Sequence, residues 1–243
     1  VLLPAVAALL CLAAGGEKVA RGIALLAASL SLLVALAALA GFDAGRGDFQ
    51  LVQRTAWIPG LGVEWHLGVD GLSILFLPAT TLLFLAALIV TGRGLSPAPG
   101  LHYACVLLLE CATLGIFCAL DTLLFFFFWE LTLLPLYCLV GLWGLAGSGA
   151  RAATRYFLLM LGGGVPVLLA FLVLASHAGM AFDLPSLLAA TPSRDTQILV
   201  FLLFVIGFGV KVPIVPLHTW LPSLALGGPA AVTALVVGMK LGV

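Results

Sequence analysis

Apolar runs of about 20 residues recur along this chain, separated by short stretches that hold most of its charges. A run of that length carries a helix across the roughly 30 Å hydrocarbon core of a bilayer. Its backbone groups must bond to one another, because the bilayer core offers them no water. The runs therefore predict an all-α fold, a polytopic bundle of transmembrane helices.

The balance of apolar and charged residues supports the same fold class. Hydrophobic residues make up 63% of the chain and charged residues 8%, whereas soluble domains average about 25% charged residues. Ten basic and ten acidic residues give a net charge of zero, so no excess of positive charge is available to attract nucleic acid. Composition thus argues against a soluble α/β enzyme, a disordered protein and a nucleic-acid binder, and the lipid bilayer is the expected partner.

The five cysteines lie within apolar stretches, and no pair has the spacing of a metal or redox site. Cysteine in such surroundings behaves as a small hydrophobic residue. We therefore predict a structural role and no metal for all five, which are Cys11, Cys105, Cys111, Cys118 and Cys138.

Eight spans are predicted, the first of them short and the last cut off by the end of the sequence. The longest polar stretch, residues 42–70, is expected to form an interfacial loop with a short hairpin. The predicted spans are residues 2–14, 19–41, 72–91, 102–120, 122–143, 154–176, 196–226 and 229–243.

The loops differ in charge on the two sides of the membrane. The first, third and fifth loops carry one acid, Glu17, whereas the second, fourth and sixth are rich in Asp and Glu. Because basic loops stay on the cytoplasmic side, the odd loops are expected there and the N-terminus outside. The basic residues of the odd loops are Lys18, Arg21, Arg93, Arg151 and Arg155.

The seventh predicted span is too long for one straight helix. Its 31 residues would extend roughly 46 Å, and they include Pro213, Pro216 and Pro222. Since proline removes a helix hydrogen bond and clashes with the preceding turn, we predict a break between Lys211 and Leu217. Broken helices at mid-depth mark ion and substrate sites in transporters.

Four ionisable residues lie near the middle of predicted spans: Glu110, Glu130, Lys211 and Lys240. Each costs at least about 2.5–3.5 kcal/mol on membrane-insertion scales, so such residues are usually functional. Burial favours the neutral form of a carboxyl or amine, whereas an opposite charge restores the ionised form. A Glu–Lys pair that opens and closes can therefore relay protons; the alternative is a static ion pair that fixes helix register.

Other residues near this level are further candidates for a role at the site or in packing. His218 follows the predicted break and either passes protons between the lysines or caps the broken helix. Pro135 frees the carbonyl of Leu131 beside Glu130, or merely kinks a packed helix. Trp129 is expected to pack, and the glycines at residues 162–164 are expected to allow close helix contact.

Several motifs resemble those of the antiporter-like membrane subunits of respiratory complex I, the proton-translocating NADH:quinone oxidoreductase. The stretch HYACVLLLECATLGIFCALDTLLFFFFWELTLLPLYCLVGLWG at residues 102–144 resembles subunit M more than its siblings. Three shorter motifs resemble the family too: VDGLS at 69–73, VKVPIVPLHTWLP at 210–222 and KLG at 240–242.

The resemblance implies about fourteen helices with two inverted five-helix repeats, so this chain would be an N-terminal fragment holding the first repeat. It implies two N-terminal helices and an outer loop over 1–71, a third helix and cytoplasmic loop over 72–101, and the first repeat over 102–243. It places the family's helix-5 glutamate on Glu130, its broken-helix lysine on Lys211 and its helix-8 lysine on Lys240, and it matches Glu110 to a helix-4 glutamate.

The implied function is proton translocation driven by quinone reduction elsewhere in a complex. The resemblance implies no redox cofactor in this chain, other membrane-arm subunits as partners, and a bacterial inner membrane as the location. One departure is clear: Ser223-Leu224-Ala225 stands where the family usually has Asp-Ala-His, and residues 227–230 replace Glu-Ala-Pro-Thr. The alternatives are a Mrp-type cation/proton antiporter subunit and a structural membrane subunit that no longer pumps.

Overall fold

The computed structural model of this chain describes residues 1–91, 95 and 97–240, apart from the side chains of Val237, Met239 and Lys240. The end of the eighth predicted span and the loop residue Arg93 lie outside the described residues. So does the side chain of Lys240, whose predicted part in a relay therefore stays a prediction.

The described part of the chain is a bundle of apolar helices, as the sequence predicts. Five stretches of the described residues are long and apolar enough to cross a membrane: Glu17–Ala40, Ser73–Val90, Pro99–Cys118, Thr122–Trp143 and Gly149–His177. The helices are α1 (Leu3–Leu12), α2 (Glu17–Ala40), α3 (Ser73–Val90), α4 (Pro99–Cys118), α5 (Thr122–Leu131), α6 (Leu133–Trp143), α7 (Gly149–His177), α8 (Leu184–Ala189), α9 (Arg194–Lys211), α10 (Trp220–Gly227) and α11 (Ala230–Lys240).

Helix α4 forms the centre of the bundle. Most of its side chains are buried, because helices pack against several of its faces. By contrast, α1, α2 and α3 each bury a stripe of residues and leave large aliphatic side chains exposed on the opposite side. That surface suits lipid or another membrane helix and would be costly in water.

The fifth predicted span is two helices rather than one. Helix α5 ends at Leu131 and α6 begins at Leu133, with Thr132 between them. Pro135 has no N–H group for the carbonyl of Leu131, which explains the interruption. At this interruption, the hydroxyl of Thr132 donates to the carbonyl of Trp129 at 2.7 Å.

The predicted break in the seventh span is confirmed. Helix α9 ends at Lys211, and the chain resumes as a 3₁₀ turn at Leu217–Thr219 followed by α10. The indole N–H of Trp220 donates to the carbonyl of Val210 at 2.8 Å, which ties the two halves together across the break.

The predicted hairpin in the long loop is also present. Strands β1 (Gln50–Ile58) and β2 (Val63–Val69) pair antiparallel, and Gly62 turns between them with a φ of 67°. Trp65 contacts Phe128 edge to face with ring centroids 5.7 Å apart, so the hairpin packs on the side of α5. Helix α8, in the loop between α7 and α9, is a short element that the sequence interpretation missed.

Candidate functional site

Two of the four predicted intramembrane charges meet at the break. The ammonium of Lys211 lies 3.3 Å from Oε1 of Glu130, within hydrogen-bond and ion-pair distance. The Lys211 side chain is 5% exposed and that of Glu130 is 19% exposed. The predicted facing of these two residues on neighbouring segments is therefore confirmed, and the pair is largely removed from solvent.

The helix ends explain why the pair forms here. Lys211 is the last residue of α9, and Glu130 is the next-to-last residue of α5. The carbonyl end of a helix carries partial negative charge, which favours a cation and disfavours an anion. The two interrupted helices thus stabilise the lysine and make the carboxylate dependent on it.

Glycine on α7 leaves room for the carboxylate. A Cβ atom added to Gly164 would lie 2.5 Å from Oε1 of Glu130, and one added to Gly163 would lie 2.8 Å from Cβ of Val210. A Cβ atom at Gly162 would meet nothing within 4 Å. The prediction of close helix contact at this stretch is confirmed for Gly163 and Gly164, and Gly164 additionally lies directly against the charge pair.

Trp129 also belongs to the site, although the sequence predicted only packing for it. The ammonium of Lys211 lies over its ring, 4.1 Å from the centroid. This geometry is a cation–π contact. The position of Trp129 next to Glu130 in the sequence was the available signal, but only the fold shows that Lys211 reaches the ring.

The other predicted relay residues lie apart from this pair in the contacts of the described residues. Glu110 is fully buried in α4, neither carboxyl oxygen has a hydrogen-bond partner among the described residues, and Ser31 of α2 faces it. His218 is half-buried in the 3₁₀ turn, and its Nδ1 atom has no partner in the described part of the chain.

A second group of ionisable residues lies outside the spans, where the hairpin meets the start of α5. Asp121 accepts hydrogen bonds from the backbone N–H groups of Leu123, Leu124 and Glu64, so one carboxylate caps α5 and holds the hairpin. Burial raises the pKa of Asp121 above its usual value despite these bonds. Burial likewise lowers the pKa of His66.

The arrangement at the break supports one kind of chemistry best. A carboxylate and an ammonium in direct contact keep each other ionised, and their separation in apolar surroundings favours the neutral form of each. A movement of α5 against α9 would therefore change the protonation of Glu130 and Lys211.

Comparison with known proteins places this site in a family. The family described as "NADH:quinone oxidoreductase/Mrp antiporter, TM" matches residues 119–243, which include Glu130 and Lys211. NAD(P)H-quinone oxidoreductase chain 4 1 of Picosynechococcus is 42% identical over 205 residues, which is 82% of this chain and 37% of that protein. NADH-quinone oxidoreductase subunit M of Rickettsia typhi is 34% identical over 222 residues, 90% of this chain and 44% of that protein.

Solved structures give the same grouping. A chain of respiratory complex I from Thermus thermophilus superimposes with a TM-score of 0.87 at 32% identity, covering 99% of this chain and 50% of that one. A chain of the Mrp complex from Dietzia has the same fold, with a TM-score of 0.81 at 23% identity, covering 97% of this chain and 26% of that one.

The chain spans less than half the length of the curated relatives named above. The residues that match the family, 119–243, contain both interrupted spans and the buried charge pair. This chain therefore belongs to the NADH:quinone oxidoreductase/Mrp antiporter family of multi-pass integral membrane proteins.

Proposed function

We propose that this chain is part of a proton-translocating membrane-arm subunit of an NADH:quinone oxidoreductase. The observation that carries the proposal is the Glu130–Lys211 pair, 3.3 Å apart and largely buried at the break of α9. The proposal is also supported by the similarity of this chain to proteins named as subunit M and chain 4 of such complexes.

In the proposed mechanism the pair has a closed and an open state. In the closed state both side chains are ionised, because each stabilises the charge of the other. Opening removes that stabilisation, so Glu130 takes up a proton and Lys211 releases its proton to the next acceptor. Closing favours the ionised form of each side chain again, so Glu130 gives up its proton and Lys211 takes one up. One cycle of opening and closing moves protons without any redox step in this chain.

The remaining parts of the proposal follow from this scheme. Glu110, Lys240 and His218 are proposed as further relay groups along the same path. Quinone reduction would occur in partner subunits, with no redox cofactor in this chain. The chain would lie beside other antiporter-like subunits in a bacterial inner membrane, with the N-terminus outside because of the basic odd-numbered loops.

A Mrp-type cation/proton antiporter subunit is the second candidate, since the matching family covers both classes. The likeness to the Mrp structure concerns the fold alone at 23% identity. Purification of the whole complex from native membranes separates the two: iron–sulfur and flavin subunits accompany a complex I subunit and are absent from a Mrp assembly.

The function itself is tested by Glu130→Gln in the assembled complex. The variant keeps the shape of the side chain and removes its charge, so the pair cannot switch. We expect NADH-driven quinone reduction to fall by roughly tenfold or more, with normal assembly on native gels. Glu110→Gln serves as the comparison and should be milder, because Glu110 has no ion-pair partner among the described residues. Wild-type quinone reduction and proton pumping by assembled Glu130→Gln would refute the proposal.

A further inference from the structure

Among its contacts, the Lys211 ammonium meets a carboxylate and an aromatic ring in the described part of the chain. The carboxylate atom is Oε1 of Glu130 at 3.3 Å, and the ring is the indole of Trp129, with its centroid 4.1 Å from the nitrogen. Charged hydrogen bonds between an ammonium and a carboxylate are usually about 2.7–2.9 Å long. The nitrogen is therefore shared between a carboxylate and an aromatic ring.

The indole is held in place by two aromatic neighbours. Trp129 is 4% exposed, and its ring packs between Phe125, at 4.9 Å, and Phe208, at 4.8 Å between centroids. Phe208 lies one turn before Lys211 on α9, so the same helix supplies both the packing and the cation. A lysine has four rotatable bonds along its stem, and its nitrogen can move between the carboxylate and the indole face while the ring stays still.

The carboxyl group has one oxygen that is not engaged by the lysine. Its Oε2 atom is buried and has no hydrogen-bond partner among the described residues, although the Glu130 side chain as a whole is 19% exposed. It can therefore take a proton from another group while Oε1 still faces the lysine. Once that proton arrives, the carboxyl no longer attracts the ammonium as an anion would.

We propose that Trp129 is a positioning residue that holds the Lys211 ammonium when Glu130 is neutral. The indole face keeps the lysine charged after the ion pair has opened, until its proton leaves for the next group. The ring thus replaces part of the stabilisation that the ammonium loses when the pair separates. This inference rests on the proposed proton relay and adds to it a second position for the Lys211 ammonium.

Two sets of variants in the assembled complex test the role of the ring. Trp129→Phe keeps a weaker aromatic face, and Trp129→Leu removes it. Site-specific incorporation of mono-, di- and tetrafluorotryptophan at position 129 keeps the shape of the indole and progressively weakens its negative face, on which cation–π attraction depends. Trp143→Leu is the matched control, because that tryptophan contacts His102 rather than a cation.

We expect proton pumping to decrease stepwise with each added fluorine, by about tenfold over the series. Trp129→Leu should lose at least as much, Trp129→Phe should retain an intermediate rate, and Trp143→Leu should pump at close to the wild-type rate. Equal pumping across the fluorinated series would overturn the inference even if Trp129→Leu failed to assemble, because the series keeps the packing intact.

Glu130→Gln is measured in parallel and separates a failure of the proposed relay from a failure of the role of Trp129. If it pumps normally, the relay itself is wrong. If it is inactive while the fluorinated series shows no trend, the relay stands and only the role of Trp129 is refuted.

Discussion

At position 164 the lack of a side chain sets how closely Glu130 approaches its partners. A Cβ atom added to Gly164 would lie only 2.5 Å from Oε1 of Glu130, so the carboxylate occupies space that a side chain would need. The ends of α5 and α9 bring the two charges together, and Gly164 on a third helix, α7, leaves the space that the carboxylate occupies. The geometry of the pair is thus a property of three segments.

Gly164→Ala should displace the carboxylate from Lys211 and lower quinone reduction by roughly tenfold, since small misplacements at a reacting group have large kinetic effects. The measurement is NADH-driven quinone reduction by the assembled complex. Gly162→Ala is the matched control, because its Cβ atom would meet nothing within 4 Å and alanine favours a helix. Equal activity of the two variants would show that Glu130 does not need its observed position.

The charged members of the site were predictable from the sequence, and the uncharged ones were not. Glu130 and Lys211 are conspicuous in apolar runs because ionisable groups are costly there. Trp129 and Gly164 resemble ordinary packing residues in a membrane helix. Their contacts with the pair depend on how α5, α7 and α9 pack, which no local pattern specifies.

At the scale of elements, the two interrupted spans differ in how well the sequence predicts them. Three prolines in 31 residues predict the break after Lys211. The sequence predicted one fifth span in which Pro135 either frees the carbonyl of Leu131 or merely kinks the helix, whereas the structure shows α5 and α6 as distinct helices. At each break a side chain donates to a nearby backbone carbonyl, Thr132 to Trp129 and Trp220 to Val210, and these bonds become evident only in the fold.

Trp220→Phe should destabilise the assembled complex by about 1–3 kcal/mol, because the buried carbonyl of Val210 loses its donor. Thermal inactivation of the purified complex measures the effect. Trp143→Phe is the control, since its indole N–H has no partner among the described residues and its loss removes no hydrogen bond. A midpoint for Trp220→Phe no lower than that of Trp143→Phe would contradict the importance of this link.

The attachment of the hairpin should weaken in acid because of His66. Burial lowers the pKa of His66, and Arg54 adds to this effect, while the carboxylates of Glu64, Asp121 and Asp183 oppose it. The detached hairpin binds a proton near the ordinary histidine pKa of about 6.5, whereas the packed imidazole stays neutral to lower pH. Acidification below that value therefore favours the detached form.

Hydrogen exchange at the amide of Leu120, which donates to the carbonyl of His66 at 2.8 Å, reports this attachment. Its protection factor should fall as the pH is lowered from about 7 to about 5 in the wild type. His66→Gln should remove most of that dependence. A protection factor that is constant over this range in the wild type would contradict the effect of His66.

At the scale of the whole molecule, the sequence predicted a bundle of membrane helices, because only a helix satisfies its own backbone hydrogen bonds within the bilayer core. Eight spans were predicted, and five stretches of the described residues are long and apolar enough to cross a membrane. The sequence did not predict how the spans pack around α4. That packing puts Glu130 and Lys211 in contact and leaves Glu110 buried with Ser31 facing it. The described part of the chain therefore holds Glu130 in an ion pair and Glu110 as a separate buried acid.

The formation of a pH gradient by vesicles that contain the assembled complex tests the central claim most directly. Glu130→Gln should abolish most of the initial rate of proton uptake, and Glu130→Asp should retain part of it, because the charge survives on a shorter side chain. Native gels must show equal assembly of the wild type and both variants. A wild-type gradient with Glu130→Gln would contradict the account and would leave a static ion pair as the explanation of the Glu130–Lys211 contact.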